Sequence, residues 1–237
     1  RPYEYWYLGS ECDGGFAQYL KVSAAHAYKI ESPLSDVELA SFPCSYSTAE
    51  NMLTRIGLRE GEKVLITGAS GGVGSAAVQL AKRRKAHVVA IAGAGKADKV
   101  RKIGADIVIP RGSSPENVLK DGSVDVVIDL VAGDQWPQLL NMLKRGGRYA
   151  VSGAIGGPIV KLDLRTLYLK DLKLIGCTLL EPAVFRNLVG YIERAEIKPI
   201  VSVKYSLNQI IEAQQAFLAK DFVGKIVLEI SSPCGIS

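Results

Sequence analysis

Apolar runs alternate with helical stretches through the middle of the chain. The runs are rich in β-branched residues and are apolar at consecutive positions, which is typical of parallel strands covered on both faces. They lie at residues 63–67, 87–92, 106–109, 124–131 and 147–153. The helical stretches between them lie at 73–84, 97–103 and 134–143. Strands that alternate with helices predict an α/β fold with a doubly wound parallel sheet of the Rossmann type.

The pattern differs on both sides of this middle part. Ser35 and Glu38 form a capping-box pattern that predicts the start of a helix, and Pro43 interrupts it. A second helix is predicted to run to about Ile56, with Gly57 as its stop. Residues 13–30 and 223–230 read as strands. We therefore expect a β-rich second part built from both ends of the chain.

Composition and charge narrow the classes of partner. The 237 residues carry a formal net charge of +5, and the basic residues are dispersed. The densest run, at 82–85, ends a predicted helix, where cations complement the helix dipole. A nucleic-acid site would need clustered cations with aromatic residues between them. We therefore expect no nucleic-acid partner.

Cysteine spacing and hydropathy predict a compartment. No C-x-x-C pair occurs among the four cysteines, which favours a reducing environment. No apolar run approaches the about 20 residues that a membrane helix needs, and we see no signal-peptide pattern. We therefore expect a cytoplasmic protein without a membrane partner. The cysteines are Cys12, Cys44, Cys177 and Cys234.

The segment "VLITGASGGVGSAAVQLAK" carries the strongest chemical signal. Its glycine register falls on Ala69, Gly71 and Gly74, one methyl group away from the dinucleotide fingerprint. A helix that begins at such a turn directs its positive N-terminal end at a pyrophosphate. A tight turn of purely structural purpose is the alternative. We expect the cofactor phosphates to contact Ser70, Gly71, Gly72 and Val73.

The end of the second predicted strand indicates which dinucleotide binds. An NAD site usually has an acidic residue there for the ribose 2′-hydroxyl, and Gly93 stands in that region instead. Lys96 follows, and Arg111 comes after the third strand. Each cation could be an ordinary solvated residue. Together with the missing acid they predict NADP(H).

Several spaced motifs resemble the medium-chain dehydrogenase/reductase superfamily, most of all its quinone-oxidoreductase-like and zinc-type alcohol dehydrogenase branches. The resemblance covers residues 10–230. It is carried, in order, by "DGGFAQY", "PCSYSTAENML", "GASGGVG", "KIGAD" and "GKIVL".

The resemblance implies the organisation of the chain. Members carry a β-rich GroES-like catalytic domain ahead of the nucleotide domain, and this sequence would begin near the end of it. Residues 1–34 would be the last part of that domain, residues 35–196 the Rossmann domain, and residues 197–237 a segment that returns to the catalytic domain. We expect a fragment that has a complete cofactor site and an incomplete substrate site.

The resemblance also implies further cofactor contacts. In this family the helix that carries Thr48 faces the nicotinamide, and the loops after later strands line the same half of the cofactor. Lys225 would reach the cofactor from the C-terminal segment, although an ordinary surface lysine is an equal alternative. The loop residues are Val131, Gly153, Ala154, Ile155 and Leu179.

Cys44 matches the position of a catalytic zinc ligand in zinc-dependent members. A catalytic zinc needs about three protein ligands and an open position. His26 and His87 lack ligand spacing with Cys44, and we expect neither to bind metal. The alternative for Cys44 is a small buried thiol. Zinc therefore stays an open possibility.

The leading hypothesis, which the resemblance implies, is an oxidoreductase that moves a hydride between NADPH and a small-molecule substrate, which is a carbonyl compound, quinone, enone or alcohol. The alternative is an NADP-binding fragment or regulatory module without turnover. Relatives are commonly dimers or tetramers joined near the last sheet strand, so a homo-oligomer is expected. Residues 172–180 are apolar enough to be that edge, or else to be a core strand.

Overall fold

The computed structural model describes residues 7–230; Cys234 and the rest of 231–237 lie outside the described residues. A central sheet of six parallel strands has the order β3-β2-β1-β4-β5-β6. This order confirms the predicted α/β Rossmann-type fold. Strands β2 and β3 extend the sheet on one side of β1, and β4 to β6 extend it on the other, so the strand order switches between β1 and β4. The strands are β1 (Lys63–Ile66), β2 (His87–Ala92), β3 (Ile107–Pro110), β4 (Val124–Asp129), β5 (Leu143–Val151) and β6 (Lys173–Gly176).

Helices cover the sheet, and a second sheet of two parallel strands follows it. No helix within residues 7–230 is both long enough and apolar enough to cross a membrane. The helices are α1 (Asp36–Leu39), α2 (Ser45–Ile56), α3 (Gly72–Arg83), α4 (Ala97–Ile103), α5 (Trp136–Met142), α6 (Leu164–Leu169), α7 (Pro182–Glu193) and α8 (Ile210–Ala219). The second sheet pairs β7 (Val201–Ser206) with β8 (Lys225–Glu229).

Two helix ends lie where the sequence predicts them. The Ser35 hydroxyl accepts a hydrogen bond from the Glu38 amide, and the Glu38 carboxylate accepts one from the Ser35 amide, so the capping box is confirmed. Gly57 ends α2 in the left-handed conformation, with φ at 66°. The strand predicted from residue 147 begins earlier, at Leu143, because β5 pairs with β4 from that residue onward.

Successive residues of the central strands point to opposite faces of the sheet. In β1, Val64 and Ile66 join the core beneath α2 and α3, while Leu65 joins the core beneath α5. All three side chains are fully buried. Burial on both faces is the reason that these strands read as continuous apolar runs instead of alternating ones.

The strands predicted within residues 13–30 are wrong. This stretch contains one 3₁₀ turn, Ala24–His26, and no strand of the described part of the chain pairs with it. Phe16 and Tyr19 are 70% and 68% exposed. An alternating pattern becomes a strand only where another strand accepts its hydrogen bonds, so β-type sequence alone was insufficient here. At the other end, the strand predicted at 223–230 is confirmed as β8.

Strand β6 is an edge of the central sheet, so the core-strand alternative for residues 172–180 is wrong. β6 pairs with β5 on one side and with no described strand on the other. Leu174 within it is 38% exposed. Pairing of this edge with a second copy of the chain stays a prediction, as do the proposed domain boundaries.

A buried ion pair joins the helices on one face. The Glu50 carboxylate on α2 is 1% exposed and accepts a hydrogen bond from the Arg84 guanidinium at 2.7 Å. Its Oε1 also accepts from the Tyr191 hydroxyl on α7 at 3.2 Å. Because water cannot solvate this carboxylate, its charge depends on these donors.

Replacement of Arg84 tests this dependence. R84M keeps the apolar stem but leaves the Glu50 charge without its cation, so we expect a loss of about 3–5 kcal/mol in the free energy of unfolding. Urea denaturation measures the loss. The matched control is K85M, because the neighbouring Lys85 pairs with Glu60 on an exposed surface and should lose at most about 1 kcal/mol. Equal losses in the two variants would contradict the prediction.

Candidate functional site

The turn between β1 and α3 is held by its own backbone. The Gly71 amide donates to the Gly68 carbonyl at 3.0 Å, and the Ala69 amide donates to the Ile91 carbonyl at the end of β2 at 3.1 Å. Gly68 has φ at 59°, a conformation that favours glycine. The turn is thus fixed at the carboxyl ends of β1 and β2, where open α/β sheets bind ligands.

Gly71 and Gly74 of the turn serve different purposes. A Cβ on Gly74 would collide with the Gly68 carbonyl oxygen and would lie 2.7 Å from the Ala69 Cα, so close packing of α3 requires glycine there. A Cβ on Gly71 would meet only the Gly68 oxygen, at 3.4 Å, which is ordinary contact. Folding does not require glycine at position 71. A ligand that approaches this exposed backbone closely does require it.

A second helix and a cation meet the same turn. The Ser45 Oγ at the start of α2 lies 2.7 Å from the place where a Cβ of Gly72 would be, and the Lys225 Cδ lies 2.9 Å from it. The Gly224 amide donates to the Ser70 carbonyl at 3.1 Å. The N-terminal ends of α2 and α3 therefore converge beside Lys225. The sequence did not single out Ser45, because Ser45 and Gly72 meet only through the fold.

The other predicted residues of this part of the site flank the turn. Val73 lies in the first turn of α3 and is half-buried. Thr48 lies in the first turn of α2, where its amide donates to the Cys44 carbonyl at 2.9 Å. Thr48 is also half-buried, so a part of it reaches the surface beside the converging helix ends.

The cations predicted for the 2′-phosphate lie at the ends of β2 and β3. The Arg111 amide donates to the Ala92 carbonyl at 2.7 Å, so Arg111 stands beside Gly93, the half-buried residue that follows β2. Arg111 itself is exposed, and no ion pair holds its guanidinium within residues 7–230. The Lys96 ammonium donates to the carbonyl of Lys220, just after α8. It therefore already holds the return segment against this edge.

The later loops meet at the carboxyl ends of β4 and β5. The Gly156 amide donates to the Val131 carbonyl at 2.7 Å. A Cβ on Gly153 would lie 2.8 Å from the Leu130 carbonyl oxygen, so the two loops touch through their backbones. Ala154 is exposed, and Ile155 and Leu179 are 77% and 41% exposed.

A buried carboxylate, which the sequence reading missed, lies beneath these loops. Asp129 ends β4, is 0% exposed, and accepts hydrogen bonds from the Thr67 and Tyr149 hydroxyls, each at 2.6 Å. Burial, and then the neighbouring Asp129 charge, raise the pKa of Tyr149 far above its ordinary value, so its hydroxyl stays a donor. An acidic residue that closes an apolar strand was the signal available in the sequence.

The described residues do not form a zinc site. Cys44 is exposed, so the buried-thiol alternative is wrong. No group of three metal-ligating side chains exists within residues 7–230. His26 is exposed in its 3₁₀ turn, and His87 begins β2 at the opposite end of the sheet from the glycine turn. Cys44 as a zinc ligand stays a prediction for the whole protein.

Two curated relatives resemble this chain over nearly its whole length. Acryloyl-coenzyme A reductase of Sulfurisphaera tokodaii is 32% identical over 221 residues, which are 92% of this chain and 66% of the relative. Human quinone oxidoreductase is 27% identical over 236 residues, covering 94% of this chain and 71% of the relative. This chain thus spans about two thirds of the length of these oxidoreductases.

Solved structures confirm the fold. A protein of Sinorhizobium meliloti 1021, provisionally assigned as an alcohol dehydrogenase, superposes with a TM-score of 0.89 at 45% identity over 95% of this chain and 64% of its own. The 2-octenoyl-CoA carboxylase reductase CinF, in complex with NADP and 2-octenoyl-CoA, has a TM-score of 0.85 at 26% identity. That match covers 94% of this chain and 56% of CinF.

The family model described as zinc-binding dehydrogenase matches residues 72–194, more than half of the chain. The match runs from the first residue of α3 to just beyond α7, so it includes most of the central sheet. Together with the relatives, it confirms the resemblance drawn from the spaced motifs. The chain therefore belongs to the zinc-binding dehydrogenase family of the medium-chain dehydrogenase/reductase superfamily.

Proposed function

We propose that this chain binds NADP(H) and belongs to an oxidoreductase that reduces a conjugated alkene, a quinone or a carbonyl compound. The observation that carries the proposal is the exposed Gly71 backbone, beside which the N-terminal ends of α2 and α3 meet Lys225. A helix N-terminus favours negative charge because its first amides lack partners within the helix. Two such ends and an ammonium group suit a pyrophosphate.

The preference for the 2′-phosphate rests on charge at the ends of β2 and β3. Gly93 leaves the ribose side without a carboxylate that would repel a phosphate, and the Arg111 guanidinium is exposed beside it. Arginine can bind a phosphate through two parallel hydrogen bonds. Lys96 adds a second positive charge at the same edge while its ammonium also binds the Lys220 carbonyl.

Hydride chemistry would come from the bound cofactor, and the chain would supply binding and orientation. The cofactor contacts proposed for this purpose are those on the glycine turn, on α2 and on the loops after β4, β5 and β6. A conjugated thioester is the substrate class we favour. One relative is an acryloyl-CoA reductase, and CinF was solved with 2-octenoyl-CoA.

A binding module without turnover is the second candidate. The observation in its favour is that Cys44 belongs to no group of three metal-ligating side chains within residues 7–230. Oxidation of NADPH, followed by its absorbance, separates the two candidates. Consumption that depends on acryloyl-CoA or benzoquinone would support the enzyme. Tight NADPH binding with neither substrate consumed would favour the module.

Cofactor titration tests the proposed selectivity. By calorimetry, we expect NADPH to bind at least tenfold more tightly than NADH, since one phosphate–guanidinium pair can contribute about 1.4 kcal/mol or more. R111A should remove most of this preference by weakening NADPH alone. The control is K102A, an exposed cation at the end of α4, which should change neither affinity. Equal affinities of the native chain for NADPH and NADH would overturn the NADP assignment.

Two glycine substitutions separate the needs of folding from those of binding. G71A should change the free energy of unfolding by less than about 1 kcal/mol, since its φ of −75° suits alanine. It should weaken NADPH binding at least about tenfold by placing a methyl group against the pyrophosphate. G74A should instead destabilise the fold by about 3 kcal/mol or more through overpacking. Denaturation and calorimetry measure both effects. Unchanged NADPH affinity in G71A would contradict the proposed phosphate site.

A further inference from the structure

The loop that follows β4, residues 130–133, contains a strained residue. Ala132 has φ at 55° and ψ at −140°, a combination that residues with a Cβ rarely adopt. Gly133 follows with φ at 74°. Something outside the loop must therefore hold Ala132 in this conformation.

Two side chains beneath the loop bind three consecutive amides of it. The Asp129 Oδ1 accepts from the amides of Val131 and Ala132, at 2.9 and 3.1 Å. The Thr67 hydroxyl accepts from the Leu130 amide at 2.9 Å and itself donates to the Asp129 Oδ1 at 2.6 Å. The second oxygen of the same carboxylate accepts from the Tyr149 hydroxyl. Oδ1 thus holds the Val131 and Ala132 amides directly and the Leu130 amide through the Thr67 hydroxyl.

The restrained loop contacts the glycine turn on one side and the loop after β5 on the other, and we call the space between these two sides, at the carboxyl ends of the strands, the crevice. The Val131 Cγ2 lies 3.2 Å from the place where a Cβ of Gly68 would be, at the start of the glycine turn. The Val131 carbonyl accepts from the Gly156 amide, and the Gly133 amide donates to the Gly157 carbonyl at 3.1 Å. A shift of this loop would displace Val131, which lies between the glycine turn and the loop after β5.

We infer that Asp129 is a positioning residue for the nicotinamide half of the cofactor, acting by holding Ala132 in its strained conformation so that Val131 forms the crevice wall. The inference rests on the proposed binding of NADP(H). Asp129 does not touch the cofactor, because its carboxylate is fully buried beneath the loop and bound by four donors. Its effect passes through the backbone of residues 130–133.

A comparison of the affinities for two ligands distinguishes a positioning role of Asp129 from a general structural one. NADPH reaches both halves of the crevice, whereas adenosine 2′,5′-bisphosphate carries only the adenosine half with its 2′-phosphate. D129A should weaken NADPH binding at least tenfold and leave the affinity for the bisphosphate within twofold. D129N, whose carbonyl oxygen can accept from the same amides, should recover NADPH binding to within threefold of the native chain.

The matched control is Y149F. It removes a hydrogen bond to the same carboxylate without touching Oδ1 or the loop, so both ligands should bind within twofold of the native affinities. Adding A132G to D129A should regain at least threefold in NADPH affinity, because glycine adopts the loop conformation without restraint.

Hydrogen exchange of the free protein supplies a readout that needs no cofactor. The amides of Val131 and Ala132 should exchange at least tenfold faster in D129N than in Y149F, since a neutral amide oxygen is the weaker acceptor. This comparison also tests whether Asp129 restrains the loop if D129A does not fold.

Equal weakening of both ligands in D129A would overturn the inference, as would equal exchange of these two amides in D129N and Y149F. Failure of the native chain to bind NADPH would instead overturn the proposed function. The exchange comparison would then still test the restraint on the loop by itself.

Discussion

The close approach of α3 to the turn after β1 is the constraint on which the rest of the structure depends. At Gly74 the helix backbone lies so near the Gly68 carbonyl that no side chain fits between them. This contact sets the direction of α3 and brings its first amides to the carboxyl end of the sheet. It also places Gly72 beneath Ser45, so the start of α2 is positioned by the same approach. This packing of helix against turn thereby produces a region of positive potential.

Charge is distributed to match this geometry. The buried carboxylates Glu50 and Asp129 are each bound by several donors, as burial of a charge requires. Arg111, by contrast, is exposed at the carboxyl edge of the sheet. The buried carboxylates are therefore held within the scaffold, while the exposed Arg111 guanidinium stays available to an anionic ligand. The proposed function uses this difference.

Most of the central fold could be predicted, because its signals are local. Consecutive apolar residues indicated strands covered on both faces, and the Ser35 capping box and Gly57 located helix ends. The glycine turn was recognisable because its residues are adjacent in the chain. The prediction of strands within residues 13–30 was wrong, since a strand needs a partner that its own sequence does not specify. Ser45 and Asp129 were missed because their roles depend on Gly72 and on the loop after β4, which only the fold brings near.

The sequence by itself determined the alternation of strands and helices, the glycine turn and the absence of an acidic residue at the end of β2. Those properties follow from backbone preferences and side-chain types within a few residues of each other. Only the tertiary structure decided which glycine is required by packing and which is exposed, that Lys96 holds the return segment, and that Asp129 restrains a strained loop. Each of these depends on contacts between residues distant in the chain, and such contacts form only when the sheet and its helices pack together.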